Sequence, residues 1–284
     1  MDPVLFVQLV EPPLYVITTI LLVWLSLPRA NPLAAAFRPV WRTLTRRNYA
    51  VFVAIGCSMI VIDVILTSLD HHFTAAIVKW RGEDFTSLIW QIEGDFVKHF
   101  QRWTWPGLTW YMAWAYIVVF PVTVPSAMVV FDYLGEARKN VSLLIAYFIN
   151  YILVLPFYFL FPVRECHEFR PGGEPFLRLV LDDAHPAIMK GLRPMSGIDN
   201  CFPSFHTSLV VTVALFAWFS GRRAFGIVMS LMALSVILAT LYLGIHWIVD
   251  LGAGIVVGII AYWLGDWLGK KYWARRVSRG RSLN

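Results

Sequence analysis

Residues Val141–Phe161 read VSLLIAYFINYILVLPFYFLF and carry no charged side chain. A helix of about 20 apolar residues crosses the ~30 Å hydrocarbon core of a bilayer. The run Tyr49–Leu69 has the same length and a single charge, Asp63. Inside a membrane every backbone polar group must be satisfied within the protein, which leaves helices and closed barrels as spanning structures. Runs this long and continuous select helices.

Working outward, hydropathy predicts seven candidate spans: Leu5–Leu27, Tyr49–Leu69, Pro106–Phe131, Val141–Phe161, His206–Ser220, Ala224–Leu243 and Trp247–Leu268. Glu11-Pro12-Pro13 interrupts the first, whose N-terminal part is expected in the interface. The expected fold class is therefore all-α, a polytopic transmembrane helical bundle of six to seven spans with amphipathic surface helices. Residues 1–140 would hold the N-terminal membrane helices and an interfacial segment at 70–105. Residues 141–268 would form a catalytic core, and residues 269–284 a basic cytoplasmic tail. The opening MDPVLFVQLVEPP lacks the basic start of a cleavable signal, so the whole chain reads as mature protein.

Composition agrees. Hydrophobic residues make up 58% of the 284-residue chain and charged residues 15%, against ~45–50% and ~25% in soluble domains. Mean hydropathy is +0.63. Thirteen Trp and eleven Tyr suit a protein with many side chains at the membrane boundary. The net charge of +6 does not indicate nucleic acid, because the cations flank apolar runs and fit anionic headgroups and topology better. Fifteen of the 24 basic residues fall on one side if the tail is cytoplasmic. The positive-inside rule then puts residues 162–205 and the turn at 244–246 on the extracytoplasmic face.

That orientation brings two distant segments to one membrane face. Pro203-Ser204-Phe205-His206 opens the fifth span, and His246 precedes Asp250 by four residues. A His and an Asp four apart share a helix face. The carboxylate can hold one ring nitrogen and leave the other free to attack. His206, from a separate helix, could transfer a proton to a leaving oxygen. The helix start at Ser204 offers backbone N–H groups suited to phosphate.

PSFH followed by TLYLGIHWIVDLGAG resembles the type 2 phosphatidic acid phosphatase superfamily over residues 141–268. Its signatures are K-x6-R-P, P-S-G-H and S-R-x5-H-x3-D. The resemblance implies a metal-independent phosphohistidine mechanism with no cofactor. His246 would be the nucleophile, Asp250 its orienting group and His206 the acid–base group. The departures are specific. Phe205 stands where the family has glycine, and Ala239-Thr240 where it has Ser-Arg. The first signature has no clean match: Arg164 and Arg170-Pro171 are too close together, as are Lys190 and Arg193-Pro194. This pattern is most similar to the inositol phosphorylceramide synthase branch, which moves a phosphorylated headgroup between lipids. A diester donor carries about one charge, a monoester up to two, so fewer cationic clamps suit a diester. Candidate substrate contacts are Arg164, Arg170, Lys190, Arg193, Ser204 and Phe205. The expected partners are the bilayer and a phospholipid or polyprenyl phosphate substrate, and oligomeric state is open.

Simpler readings stand beside these. Either histidine alone could be satisfied by water or a carbonyl, the basic loop residues could be solvated charges, and Asp250 could merely favour a helix start. Asp63 in mid-span is paired, protonated or near the surface. Gly252 and Gly254 suit close helix packing. Cys166 and Cys201 bracket the long loop on the side assigned as oxidising, and are disulfide candidates; the alternative is two free thiols. No metal set stands out by spacing. The functional alternatives are a lipid phosphatase for phosphatidic acid or a polyprenyl diphosphate, and a non-catalytic transporter or scaffold. No inverted repeat of the kind transporters carry is visible.

Overall fold

A computed structural model of the chain describes residues 3–31, 33–35, 37, 72–73, 75–184 and 201–278. The predicted span Tyr49–Leu69, with Cys57 and Asp63, and the candidate contacts Lys190 and Arg193 lie outside the described residues. Among those residues the elements are helical. The main ones are α1 (Pro3–Ser26), the short α2 (Thr86–Glu93), α3 (Pro106–Tyr133), α4 (Ala137–Leu160), α5 (Phe205–Trp218), α6 (Arg223–Tyr242) and α7 (Ile248–Ser278). Among the described residues four helices are long and apolar enough to cross a membrane: Pro106–Tyr133, Ala137–Leu160, Arg223–Tyr242 and Ile248–Arg275. Pro12–Ser26 and Phe205–Trp218 are shorter apolar helices. The chain is an all-α protein with several helices long enough to span a bilayer.

One expectation is corrected in α1. The helix runs without a break through Pro12 and Pro13. Proline removes a backbone donor, yet hydrophobic helices tolerate it where neighbouring groups satisfy the freed carbonyls. The outer surface carries exposed Trp24, Ile152, Leu160, Leu231, Trp263 and Trp267, the side chains a lipid-facing surface requires. In the 70–105 segment, α2 and a 3-10 turn at Phe96–Gln101 are short, and Trp80 and Trp103 are fully presented at the surface.

Helix α7 packs on α4 and α5 through glycines. A Cβ at Gly254 would sit 2.6 Å from the Ser204 carbonyl oxygen, and one at Gly258 would sit 2.5 Å from that of Ser208. Gly265 and Gly269 press in the same way on Ala146 and Ser142 of α4. Small residues let helix backbones approach closely where lipid supplies no hydrophobic drive. A polar tie lies in the same seam: the Thr212 hydroxyl donates to the Gly258 carbonyl at 3.0 Å, and Asn150 Nδ2 donates to Thr212 Oγ1 at 3.1 Å. At the far end Asp266 of α7 accepts from Arg138 of α4 at 2.9 Å.

Helix α3 contains a π-helical turn at Ala115–Val119. Pro121 follows it and lacks the N–H needed to close the next α-turn. The wider turn directs Tyr116 and Phe120 onto His206, with ring centroids 4.9 and 4.4 Å away. Such bulges recur at functional sites.

Candidate active site

Helix α6 ends at Tyr242, and the tight turn before α7 exists because Gly244 adopts a φ of +82°. A side chain there would be strained and would meet the Arg178 carbonyl at 2.7 Å. The Thr240 carbonyl accepts from both Ile245 and His246 backbone N–H groups, at 2.9 and 3.2 Å. This fixes the backbone from which the His246 ring projects.

Residues 164–180 of the long loop are laid against this turn. Cys166 and His167 donate backbone N–H groups to the carbonyls of Ile245 and Gly244, and Val180 donates to that of Leu243. The Trp247 indole N–H donates to the Arg164 carbonyl at 3.0 Å. From below, α2 contributes Glu93, whose Oε2 accepts the Val249 N–H at 3.1 Å at the first turn of α7. Burial pushes the Glu93 carboxyl up to about 7 despite that bond.

Helix α5 begins beside this turn. Ser204 is its N-cap: the side chain accepts from the Thr207 N–H at 3.2 Å, and its own N–H donates to the Asp250 carbonyl at 3.1 Å. The motif's serine thus pins α5 to α7. His206, the second residue of α5, points Nδ1 at His246 Nε2 across 3.1 Å. Behind His246, Nδ1 lies 3.3 Å from Asp250 Oδ2, which also accepts the Trp247 N–H at 2.8 Å. Asp250 is fully buried and His246 nearly so. One proton arrangement satisfies the whole chain: His246 Nδ1–H donates to Asp250, and His206 Nδ1–H donates to the free Nε2 of His246. Burial holds His246 down to about 3, so its ring is neutral at ordinary pH.

Three predicted residues therefore meet at one point: His206, His246 and Asp250. Others stand apart. The Arg164 guanidinium is taken by Asp84 at 2.6 Å, although its backbone carbonyl touches Trp247. Arg170 is exposed; its carbonyl accepts the Gly173 N–H at 3.1 Å, and its guanidinium forms no hydrogen bond or ion pair among the described residues. Ser204 is buried and committed to capping. Phe205 lies in an aromatic group, 4.4 Å from Tyr151, 6.1 Å from Tyr147 and 6.4 Å from Phe120 between ring centroids. Thr240, where the resembled family carries arginine, is buried and bonds to its own helix at the Ile237 carbonyl.

The cysteine expectation is corrected. Cys166 and Cys201 are free thiols, both buried. Cys201 instead places Sγ 3.1 Å from His246 Nδ1, 3.0 Å from Asp250 Oδ2 and 3.3 Å from the Ile245 carbonyl. Burial raises both thiols well above their ordinary value. The expectation that no metal set stands out is corrected as well, since ligand atoms of Cys201, His246 and Asp250 lie within 4.8 Å of one another. Sequence spacing hid this trio because Cys201 is 45 residues from His246. Its position two residues before PSFH was the available signal.

A family model described as the PAP2 superfamily matches residues 87–264. Searches of curated proteins and of solved structures return no match. The matched span runs from α2 through most of α7 and contains His206, His246 and Asp250. By that match over more than half of its length, the chain belongs to the PAP2 superfamily.

Proposed function

We propose that the protein is a membrane phosphotransferase that moves a phosphorylated headgroup, of the inositol phosphate type, from one lipid to another through a phosphohistidine on His246. Family membership supports the coarser class, phosphatase or phosphotransferase chemistry on lipid phosphates. The observation that carries the reading is the 3.1 Å meeting of His206 and His246 from two helices, with Asp250 behind the second ring.

His246 Nε2 attacks phosphorus while Asp250 holds the Nδ1 proton. The bound phosphoryl group separates the two rings; His206, protonated on both nitrogens in the anionic complex, then presents Nδ1–H to the departing alcohol oxygen, protonates it and is left neutral. In the second half-reaction His206 takes the proton of the incoming hydroxyl, which attacks the phosphohistidine and restores His246. No metal or cofactor is invoked. Transfer is favoured over hydrolysis by the aromatic walls. Tyr116 and Phe120 press on His206, while Tyr147 and Tyr151 enclose Phe205, leaving an apolar approach that suits a lipid alcohol better than water. Thr240 and Phe205, in place of arginine and glycine, point toward the inositol phosphorylceramide synthase branch and a diester donor. The site faces the extracytoplasmic side in this reading, with the C-terminus cytoplasmic.

Incubating purified protein with labelled phosphatidylinositol, with and without candidate lipid alcohols, tests this. A new labelled phosphodiester is expected. Release of labelled headgroup alone would make the protein a hydrolase, and no turnover of phosphatidylinositol or phosphatidic acid would favour a transporter or scaffold.

A further inference from the structure

The structure assigns Cys201, His246 and Asp250 a second property: together they form a binding site for a thiophilic divalent cation of the zinc class, and its occupancy stops turnover. Sγ, Nδ1 and Oδ2 form a nearly equilateral triangle with sides of 3.1, 3.0 and 3.3 Å. A tetrahedral ion bonds such atoms at ~2.0–2.3 Å. An ion just above the triangle's plane reaches all three if the ligands spread by a few tenths of an ångström. A sulfur, an imidazole nitrogen and one carboxylate match zinc, whereas magnesium and calcium require oxygen ligands.

Two further observations point to a ligand. Among the described residues Asp250 Oδ1 is buried with no hydrogen-bond partner, although Oδ2 carries several. A fully buried carboxylate with an idle oxygen can turn it toward an ion. Cys201, in addition, is not needed to orient His246, since Asp250 already reaches Nδ1. Its thiol duplicates a contact at a point where a soft donor completes a three-ligand set.

Binding is balanced without redox change. The ion bonds to sulfur, nitrogen and oxygen. The Cys201 thiol proton leaves to solvent, and the His246 ring changes tautomer, its single proton moving from Nδ1 to Nε2. Water fills the fourth position. The inhibitory consequence rests on the proposed function: with the cation on Nδ1 and the proton on Nε2, the ring keeps no lone pair to attack phosphorus and loses its Asp250 contact. The binding itself does not rest on that reading.

The test uses full-length protein in detergent, stripped with EDTA and kept reduced. Cobalt(II) serves as the spectroscopic probe and zinc(II) as the inhibitor. One cobalt per chain, with a near-ultraviolet thiolate charge-transfer band, is expected. Cys201→Ser should abolish the band and weaken metal binding by at least ~10–100-fold, while Cys166→Ser should keep both. X-ray absorption on the zinc-loaded wild type should show one sulfur at ~2.3 Å, which decides the matter if Cys201→Ser fails to fold. Zinc should inhibit lipid turnover, EDTA should restore it and magnesium should have no effect. Absence of the thiolate band and of a sulfur ligand would overturn the site. Undiminished zinc affinity in folded Cys201→Ser would do the same. Stimulation by zinc would overturn the inhibitory role while leaving the site. A protein that binds cobalt through sulfur but turns over no lipid would instead refute the proposed function.

Discussion

Replacing Gly258 with alanine should weaken catalysis without touching a reacting group. The new Cβ would lie 2.5 Å from the Ser208 carbonyl oxygen and 3.1 Å from the Val211 side chain, whereas ordinary contact begins at 3.4 Å. Helix α5 must therefore retreat by about 0.9 Å. Ser208 is only two residues from His206, so the retreat lengthens the His206–His246 contact by a similar amount. A misplacement of ~1 Å near a reacting centre costs ~10²-fold in rate, and overpacking costs ~1–3 kcal/mol of stability. The gain in helix propensity, ~0.8–1.0 kcal/mol for Ala over Gly, offsets part of the second figure only. Gly252 is the control, on the same helix with nothing among the described residues within 4 Å of its would-be Cβ. Gly252→Ala should leave turnover unchanged and raise stability by ~0.5–1 kcal/mol. Initial rates on a labelled lipid phosphate and thermal unfolding in detergent measure both. Equal rates and stabilities for the two variants would refute the claim that the glycine seam sets the distance between the histidines.

His246→Ala should abolish turnover, and His206→Ala should slow it ~10²–10⁴-fold; comparable residual rates in both would remove the assigned roles. Orthovanadate should inhibit as a trigonal-bipyramidal mimic, and EDTA should not; inactivation by EDTA that magnesium reverses would indicate metal catalysis. Glu93 has its carboxyl raised from 4.5 to about 7 by burial, so the stability it contributes is fully present below pH 4.5 and is lost as pH rises through about 7. Thermal unfolding should accordingly show wild type falling relative to Glu93→Gln between pH 5 and 8, and parallel curves would deny that shift. Denatured, unreduced protein should react with three maleimides per chain, matching its three cysteines. A count of one would restore the Cys166–Cys201 bridge.

Much of the bundle was legible because long apolar runs have few physical outcomes. The expected spans Pro106–Phe131, Val141–Phe161, Ala224–Leu243 and Trp247–Leu268 overlap the four membrane-length helices closely. His206, His246 and Asp250 were legible because their spacing relative to span ends places them at one face. What spacing could not show depends on three-dimensional approach. Pro12-Pro13 reads as a break, yet the helix continues through it. Arg164 looks like a free phosphate ligand until Asp84, 80 residues earlier, takes its guanidinium. Cys201 and Cys166 suggest a staple by bracketing the loop. Cys201 instead turns to the His246–Asp250 pair, a contact between segments 45 and 49 residues apart. The π-turn that aims Tyr116 and Phe120 at His206 has only Pro121 as its trace in the sequence.

The most direct measurement is the capture of a covalent intermediate. Protein mixed with lipid labelled at phosphorus, either phosphatidylinositol or phosphatidic acid, would be quenched in alkali within one turnover, digested and analysed by mass spectrometry. The label should reside on His246, persist longer in His206→Ala because the second half-reaction has lost its base, and be absent from His246→Ala. Turnover by an enzyme that never carries the label, or a label on a residue other than His246, would contradict the account.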